Sequence, residues 1–192
     1  NGFANRFKIW REMDYSIVTI SGLPGSGTST ASTKLRTSLN WSYVNAGQIF
    51  RMLAKEANMT LNEFGARAET NPTIDRELDK KMIRYAEKGE PIVMEGRLVG
   101  WMTLQKKIPA LRVWLEATIS TRASRLSLRE GDSQALSNMK VREESELKRY
   151  KDFHDIDLQD MSIYDLVIST ELHSADEVAK KIQAGLSGDD KC

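Results

Sequence analysis

The residues of this chain best suited to chemistry begin with the stretch Gly22-Leu23-Pro24-Gly25-Ser26-Gly27-Thr28-Ser29. Glycines at 22, 25 and 27 let backbone N–H groups converge on an anion without side chains in the way. A helix starting directly afterwards adds unsatisfied donors of its own, so the segment can grip a polyphosphate before any side-chain cation is counted. The spacing follows the phosphate-loop pattern G-x-x-x-x-G-K-[ST] at every defining place but one, because Thr28 stands where lysine is expected. Ser29 holds the position whose hydroxyl would coordinate Mg²⁺, with Thr30 beside it as a substitute. Thr28 can donate one hydrogen bond but brings no positive charge to the β- and γ-phosphates. Without another cation in that place, transition-state stabilisation falls by on the order of a few kcal/mol.

Phosphoryl transfer needs positive groups around the developing charge and an acceptor held in line, and it needs no covalent intermediate with the protein. Arginines and acids at strand ends are therefore the residues to look for. Arg51 follows the Asn45-Ala46-Gly47 turn, and Arg97 follows Glu95-Gly96. Two uses are open to Glu95: orienting water on a bound Mg²⁺, or pairing with Arg97; a purely structural hydrogen-bonding role is the third reading. Arg122, Arg125 and Arg129 recur at helical spacing, and Arg142 and Arg149 lie two turns apart on one side. Such arginines suit a segment that closes over phosphates. His154 and His173, the only two histidines, are too few for a histidine-rich metal site and read as surface or local structural residues.

These candidates need a scaffold. Ile17-Val18-Thr19-Ile20 reads as a buried strand running into the glycine turn, and Ala31, Leu35 and Leu39 mark the core face of a helix over 28–39. Further strands are expected at 41–44, 91–95, 111–115 and 164–168, with helices between them. Thr60 to Glu63 and Ser174 to Glu177 have capping-box spacing, and Ile74, Leu78 and Met82 stripe a longer helix that Gly89 should end. Residues from about Ser133 to Tyr150 form a polar, basic helical stretch. Five short apolar strands alternating with helices predict an α/β fold of three layers, a mostly parallel sheet covered on both faces.

With 192 residues, one domain over 15–186 is expected, flanked by a peripheral extension at 1–14 and a frayed tail at 187–192. The 28 basic and 27 acidic residues leave a formal charge of +1, so any anion site must be local rather than global. A single cysteine, Cys192, excludes an intrachain disulfide and a cysteine-based zinc cluster. Apolar runs are strand-sized, far short of the roughly 20 residues of a membrane span, and no membrane partner is expected. A cytoplasmic location fits, and an organellar matrix or stroma fits if Asn1 is the end of a processed precursor.

Four segments together resemble one family. They are Ser21-Gly22-Leu23-Pro24-Gly25-Ser26-Gly27-Thr28-Ser29-Thr30, Asn45-Ala46-Gly47-Gln48-Ile49-Phe50-Arg51, Glu95-Gly96-Arg97-Leu98-Val99-Gly100-Trp101-Met102, and Ser162-Ile163-Tyr164-Asp165-Leu166-Val167-Ile168. Over residues 15–184 the chain resembles the archaeal-type cytidylate kinases, within the nucleoside-monophosphate kinase group of P-loop proteins. The resemblance implies ATP-dependent, Mg²⁺-assisted phosphorylation of CMP or a related pyrimidine monophosphate. It places Gly25 to Ser29 at the ATP phosphates, Gly47 and Arg51 near the acceptor monophosphate, Gly96 and Arg97 at its pocket, and Arg142 and Arg149 in a basic segment near the closing element. Thr28 departs from the lysine common in nucleotide kinases, and Ser169 from the acid that often follows the last strand. A second function class therefore stands beside the enzyme: a catalytically weakened, kinase-like binding or structural subunit of a larger assembly, RNA-containing or not, docked through the basic and aromatic residues 1–14.

Overall fold

A computed structural model describes residues 14–130 and 135–187. Five strands form its sheet: β1 (Ile17–Gly22), β2 (Ser42–Asn45), β3 (Ile92–Glu95), β4 (Leu111–Glu116) and β5 (Leu166–Ser169). Their order is β2-β3-β1-β4-β5, and all four pairings are parallel. β1 sits in the middle, with β3 on one side and β4 on the other. The chain winds away from β1 in both directions, so the crevice at its C-terminal end is the switch point where ligands of open α/β sheets bind.

Alternation along β1 explains the three layers. Val18 and Ile20 join Val93, Val113, Leu115 and Ile168 on one face. That face is covered by α1 (Thr28–Leu39) through Ala31 and Leu35, and by the last helix, α8 (Ala175–Leu186), through Val178, Ile182 and Leu186. Ile17, Val44, Ile92, Met94 and Trp114 point the other way. They meet Met82, Ile83 and Ala86 of α4 (Pro72–Glu87), Val99 and Met102 of α5 (Val99–Gln105), and Tyr150 of α7 (Ala135–His154). Near-continuous β-branched and apolar strands are what a parallel sheet buried on both faces requires. A smaller cluster of Ala54, Phe64, Ala68 and Ile74 ties α2 (Ala46–Glu56) and α3 (Leu61–Thr70) to the start of α4. α6 (Ile119–Glu130) meets α7 through Leu126 and Met139.

Both expected capping boxes form, with the backbone N–H of Glu63 donating to Thr60 Oγ1 and that of Glu177 to Ser174 Oγ. The second strand lies one residue later than expected, at Ser42–Asn45, while Trp41 is buried as the chain turns in from α1. The last strand also starts later, at Leu166, because Tyr164 follows a single 3₁₀ turn (Met161–Ile163) and packs its ring on Trp114 at 5.3 Å. α5 was not foreseen. It is seven residues long and lacks a side-chain cap, and Gly100 within it lies so close to Tyr164 that a Cβ would stand 2.9 Å from Cε1. Of the basic helical stretch, residues 133 and 134 fall outside the described residues, as do the extension up to residue 13 and the tail from 188. No described helix is long and apolar enough to cross a membrane.

Ile182 is fully buried between α8 and the sheet, far in sequence from every candidate site residue. Truncating it to alanine removes buried methyl groups and leaves a cavity, so Ile182→Ala should lower unfolding free energy in urea by about 2–5 kcal/mol. Nucleotide binding by the folded fraction should be unchanged.

Candidate functional site

The glycine loop joins the end of β1 to the start of α1. Its turn closes with the Ser26 N–H donating to the Leu23 carbonyl at 3.1 Å. A Cβ on Gly22 would stand 2.6 Å from the Leu115 carbonyl oxygen, and one on Gly25 would stand 2.6 Å from that of Arg122, so the loop is packed backbone to backbone. Gly25 and Gly27 hold φ of +81° and +88°, the left-handed region that favours glycine. Gly27 is the N-cap of α1, with no side-chain cap bond and no acid in the first turn. The first amides of α1 thus point outward with the positive end of the helix dipole behind them. Inside the loop the Ser26 hydroxyl is buried without a hydrogen-bond partner.

Glu95, the last residue of β3, organises the surroundings of this loop. It accepts hydrogen bonds from Thr28 Oγ1 at 2.8 Å, Ser29 Oγ at 2.7 Å and Asn45 Nδ2 at 2.6 Å, and another from the Tyr43 hydroxyl. Asn45 in turn caps α2, its Oδ1 accepting from the Gln48 N–H at 2.9 Å. Burial, and next the bond to Glu95, push the Tyr43 phenol well above its ordinary range, so it remains a donor. The sequence left pairing with Arg97 open for Glu95, and the structure rules that out: Arg97 pairs with Glu146 on α7 instead. Thr28 spends its hydroxyl on Glu95. Thr30 is exposed and makes no such contact among the described residues.

Two arginines grouped by their helical spacing as closing residues are anchored behind the loop. Arg122 is buried; it donates to the carbonyls of Pro24 and Ala117, each at 3.2 Å, and pairs with Glu143. Arg125 donates to the Gly25 carbonyl at 3.2 Å, to Thr170 Oγ1 at 2.8 Å and to the Thr170 carbonyl at 2.9 Å. Their reach from the first turns of α6 ties the carbonyls of Pro24 and Gly25 to that helix. The side chain of Arg129 lies outside the described residues.

Beside the loop opens a cavity of about 720 Å³ between α2, α3, α4, the start of α5 and α7. Gly47, Arg51, Gly96, Arg97, Arg142 and Arg149 all line it, so residues scattered over a hundred positions share one space. Gly96 is pinned by its N–H to the Ile20 carbonyl at 3.2 Å and by Ser21 Oγ, which donates to its carbonyl at 2.9 Å. A Cβ there would meet Ala46 Cβ at 2.8 Å. Arg142 Nε donates to Glu146 Oε1 at 3.0 Å, so one carboxylate holds both Arg97 and Arg142. Arg51 is exposed and makes no ion pair with another described residue. Arg149 is buried beside Asp75 and over the Phe50 ring.

Acids were the residues that sequence reasoning missed. Asp75 and Asp79 lie one turn apart on α4, between the apolar residues Ile74, Leu78 and Met82, where acids ordinarily mark a solvated face. Both line the cavity instead. Burial raises the Asp75 carboxyl against the pull of Arg149, and burial with the neighbouring Asp75 charge pushes Asp79 up to about 7. His154 Nδ1 stands 3.4 Å from Asp79, and burial lowers its pKa. Burial thus disfavours the charged form of both partners, and the contact is a local structural pair. No group of three or more His, Cys, Asp or Glu able to hold a metal occurs among the described residues. A divalent ion at the loop would meet the oxygens of Ser29 and Glu95 and those of its own ligand.

A model of the cytidylate kinase-like family matches residues 17–172. The chain is 44% identical to a cytidylate kinase of Pyrococcus horikoshii over 175 residues, which cover 90% of this chain and 89% of that protein. It is 47% identical to a cytidylate kinase of Methanocaldococcus jannaschii over 157 residues, 80% of this chain and 88% of that one. Among solved structures it resembles an uncharacterized protein from Eubacterium ventriosum, with a TM-score of 0.68 at 19% identity, covering 90% of this chain and 98% of the other. A shikimate kinase from Acinetobacter baumannii aligns with a TM-score of 0.60 at 12% identity over 95% of this chain and 98% of its own. At such identities the structural likeness speaks for the fold alone.

The raised Asp79 pKa carries a sign. The folded state holds this proton more tightly than the unfolded chain, so stability is greatest below the ordinary carboxylate range. It falls as pH climbs from about 4 to about 7, by on the order of a few kcal/mol. Asp79→Asn, with no proton to lose, should flatten that part of the stability profile, as read by urea unfolding at stepped pH.

Proposed function

From its membership of the cytidylate kinase-like family, to which this chain belongs, we propose that the protein transfers the γ-phosphoryl group of ATP to a pyrimidine nucleoside monophosphate, CMP before others. The observation that carries this reading is the end of β3. Glu95 holds the hydroxyls of the phosphate loop, and two residues later Arg97 enters the acceptor cavity, so one strand end brings donor and acceptor together.

In this reading the amides of the loop from Gly22 through Gly25, Ser26 and Gly27 to Thr28 and Ser29 cradle the ATP phosphates, with Thr30 at the edge. The Ser29 hydroxyl beside the Glu95 carboxylate is a hard-oxygen set that fits Mg²⁺, an ion that keeps several waters and is shared with substrate phosphates. Bound there, the ion would neutralise charge on the transferring group. Arg125, whose Nη1 lies 3.8 Å from where a Cβ on Gly27 would stand, is the guanidinium placed to offset the missing lysine at Thr28. Gly47 and Gly96 let the acceptor approach the backbone, and Arg51 stands at the rim. Arg97 and Arg142 trade Glu146 for the acceptor phosphate and flank the developing charge. Arg149, the third arginine of the catalytic group, lies deepest and orients the acceptor.

The deciding experiment offers the purified chain MgATP with CMP, UMP, dCMP or AMP and follows diphosphate formation. CDP formation is expected; a folded, ATP-binding protein without turnover would favour the binding-subunit reading instead. Arg97→Ala should lower kcat/KM for CMP by about 10²- to 10³-fold, comparable to removing one preorganised donor at a transition state, and leave ATP affinity unchanged. An unaltered steady-state profile would remove Arg97 from the acceptor site.

A further inference from the structure

Away from Arg97 and Arg142, the most buried polar lining of the acceptor cavity is Asp75 on α4 and Arg149 on α7, at 4% and 7% exposure. Asp75 Oδ2 and Arg149 Nε form an ion pair at 3.6 Å, too long for a hydrogen bond, and neither atom has a hydrogen-bond partner. Buried polar atoms are almost always hydrogen-bonded, and leaving a charged one unsatisfied is costly. Here an acceptor and a donor are left open side by side in the wall of a cavity. Next to them lies a flat apolar surface: Phe50 has its ring 5.8 Å from Arg149 Cζ and is braced edge-on by Phe64 at 4.9 Å.

We propose that Asp75 and Arg149 read the base of the acceptor nucleotide, Asp75 accepting from an exocyclic amine and Arg149 donating to the adjacent ring nitrogen, with Phe50 against the ring face. The inference rests on the phosphoryl-transfer reading above and specifies its substrate. A 4-aminopyrimidine presents a donor beside an acceptor, the complement of what this wall presents. A 4-keto pyrimidine reverses both groups: its oxygen would face a carboxylate and its ring N–H a guanidinium, each buried and mismatched. The pair therefore sorts amino from keto bases. It does not sort one ring from two, which falls to the dimensions of the cavity.

The test is calorimetric titration of the whole chain with CMP and with the ribonucleotide of 2-pyrimidinone, which is CMP without its 4-amino group. Loss of the amine should weaken binding by about ten- to a hundredfold, the range of a hydrogen bond to a charged group. Asp75→Asn should abolish that preference while MgATP binding persists, a result that loss of packing alone would not give. Equal affinity of the unaltered protein for the two nucleotides overturns the inference, whether or not the variant folds. A folded Asp75→Asn protein that keeps the full preference overturns it as well. Amine-dependent binding without transfer to CMP would leave the base assignment standing and remove the kinase reading; transfer with equal binding would do the reverse.

Discussion

Four donors from two segments end on the carboxylate of Glu95, and the arrangement of the whole crevice follows from that convergence. Thr28 and Ser29 come from the first turn of α1, Tyr43 and Asn45 from β2, and the acceptor itself from the end of β3. A carboxylate at a strand end must find partners, and bonds to a charged group are among the stronger ones a protein makes. Here they hold the phosphate loop against the neighbouring strand and set the N-cap of α2. Gly96 and Arg97 then leave β3 in a direction fixed by the Gly96 bonds to β1. The loop and the Gly96-Arg97 edge of the cavity thus share one hydrogen-bonded corner of the sheet.

Much of this was legible in the residues. Glycines at 22, 25 and 27 announced the loop because few other functions need three glycines between a β-branched strand and an amphipathic helix. Strand runs such as Ile17 to Ile20 and the two capping boxes were equally plain. What could not be read was pairing across the chain. Nothing in the sequence near Arg97 points to Glu146, forty-nine positions on, and Glu95 two residues before it looked the nearer partner. Asp75 and Asp79 were overlooked because polar residues on an amphipathic helix normally face water, whereas these face a cavity that exists only once α7 packs across α4. The anchoring of Arg122 and Arg125 was hidden for the same reason: spacing shows which side of a helix they share, and only packing shows that this side meets the loop.

The threonine in place of lysine takes on a physical setting. Its hydroxyl turns to Glu95, so residue 28 strengthens the corner instead of reaching toward an anion. Positive charge near the loop comes from behind, through Arg125, held by Gly25 and Thr170. A guanidinium fixed by three bonds is more restricted than a lysine on a flexible stem.

The single carboxylate shared by Arg97 and Arg142 has a consequence for how the acceptor site meets its surroundings. Glu146 already acts as an internal counterion for both guanidinium groups. In the proposed reading an arriving phosphate competes with a carboxylate that stays tethered to α7, so the site is a charge-compensated pocket more than a bare positive patch. Compensation of this kind lowers the net positive charge that the cavity shows at a distance, so the long-range pull on an anion is weaker, and leaves less for salt to screen, than at an open arginine cluster.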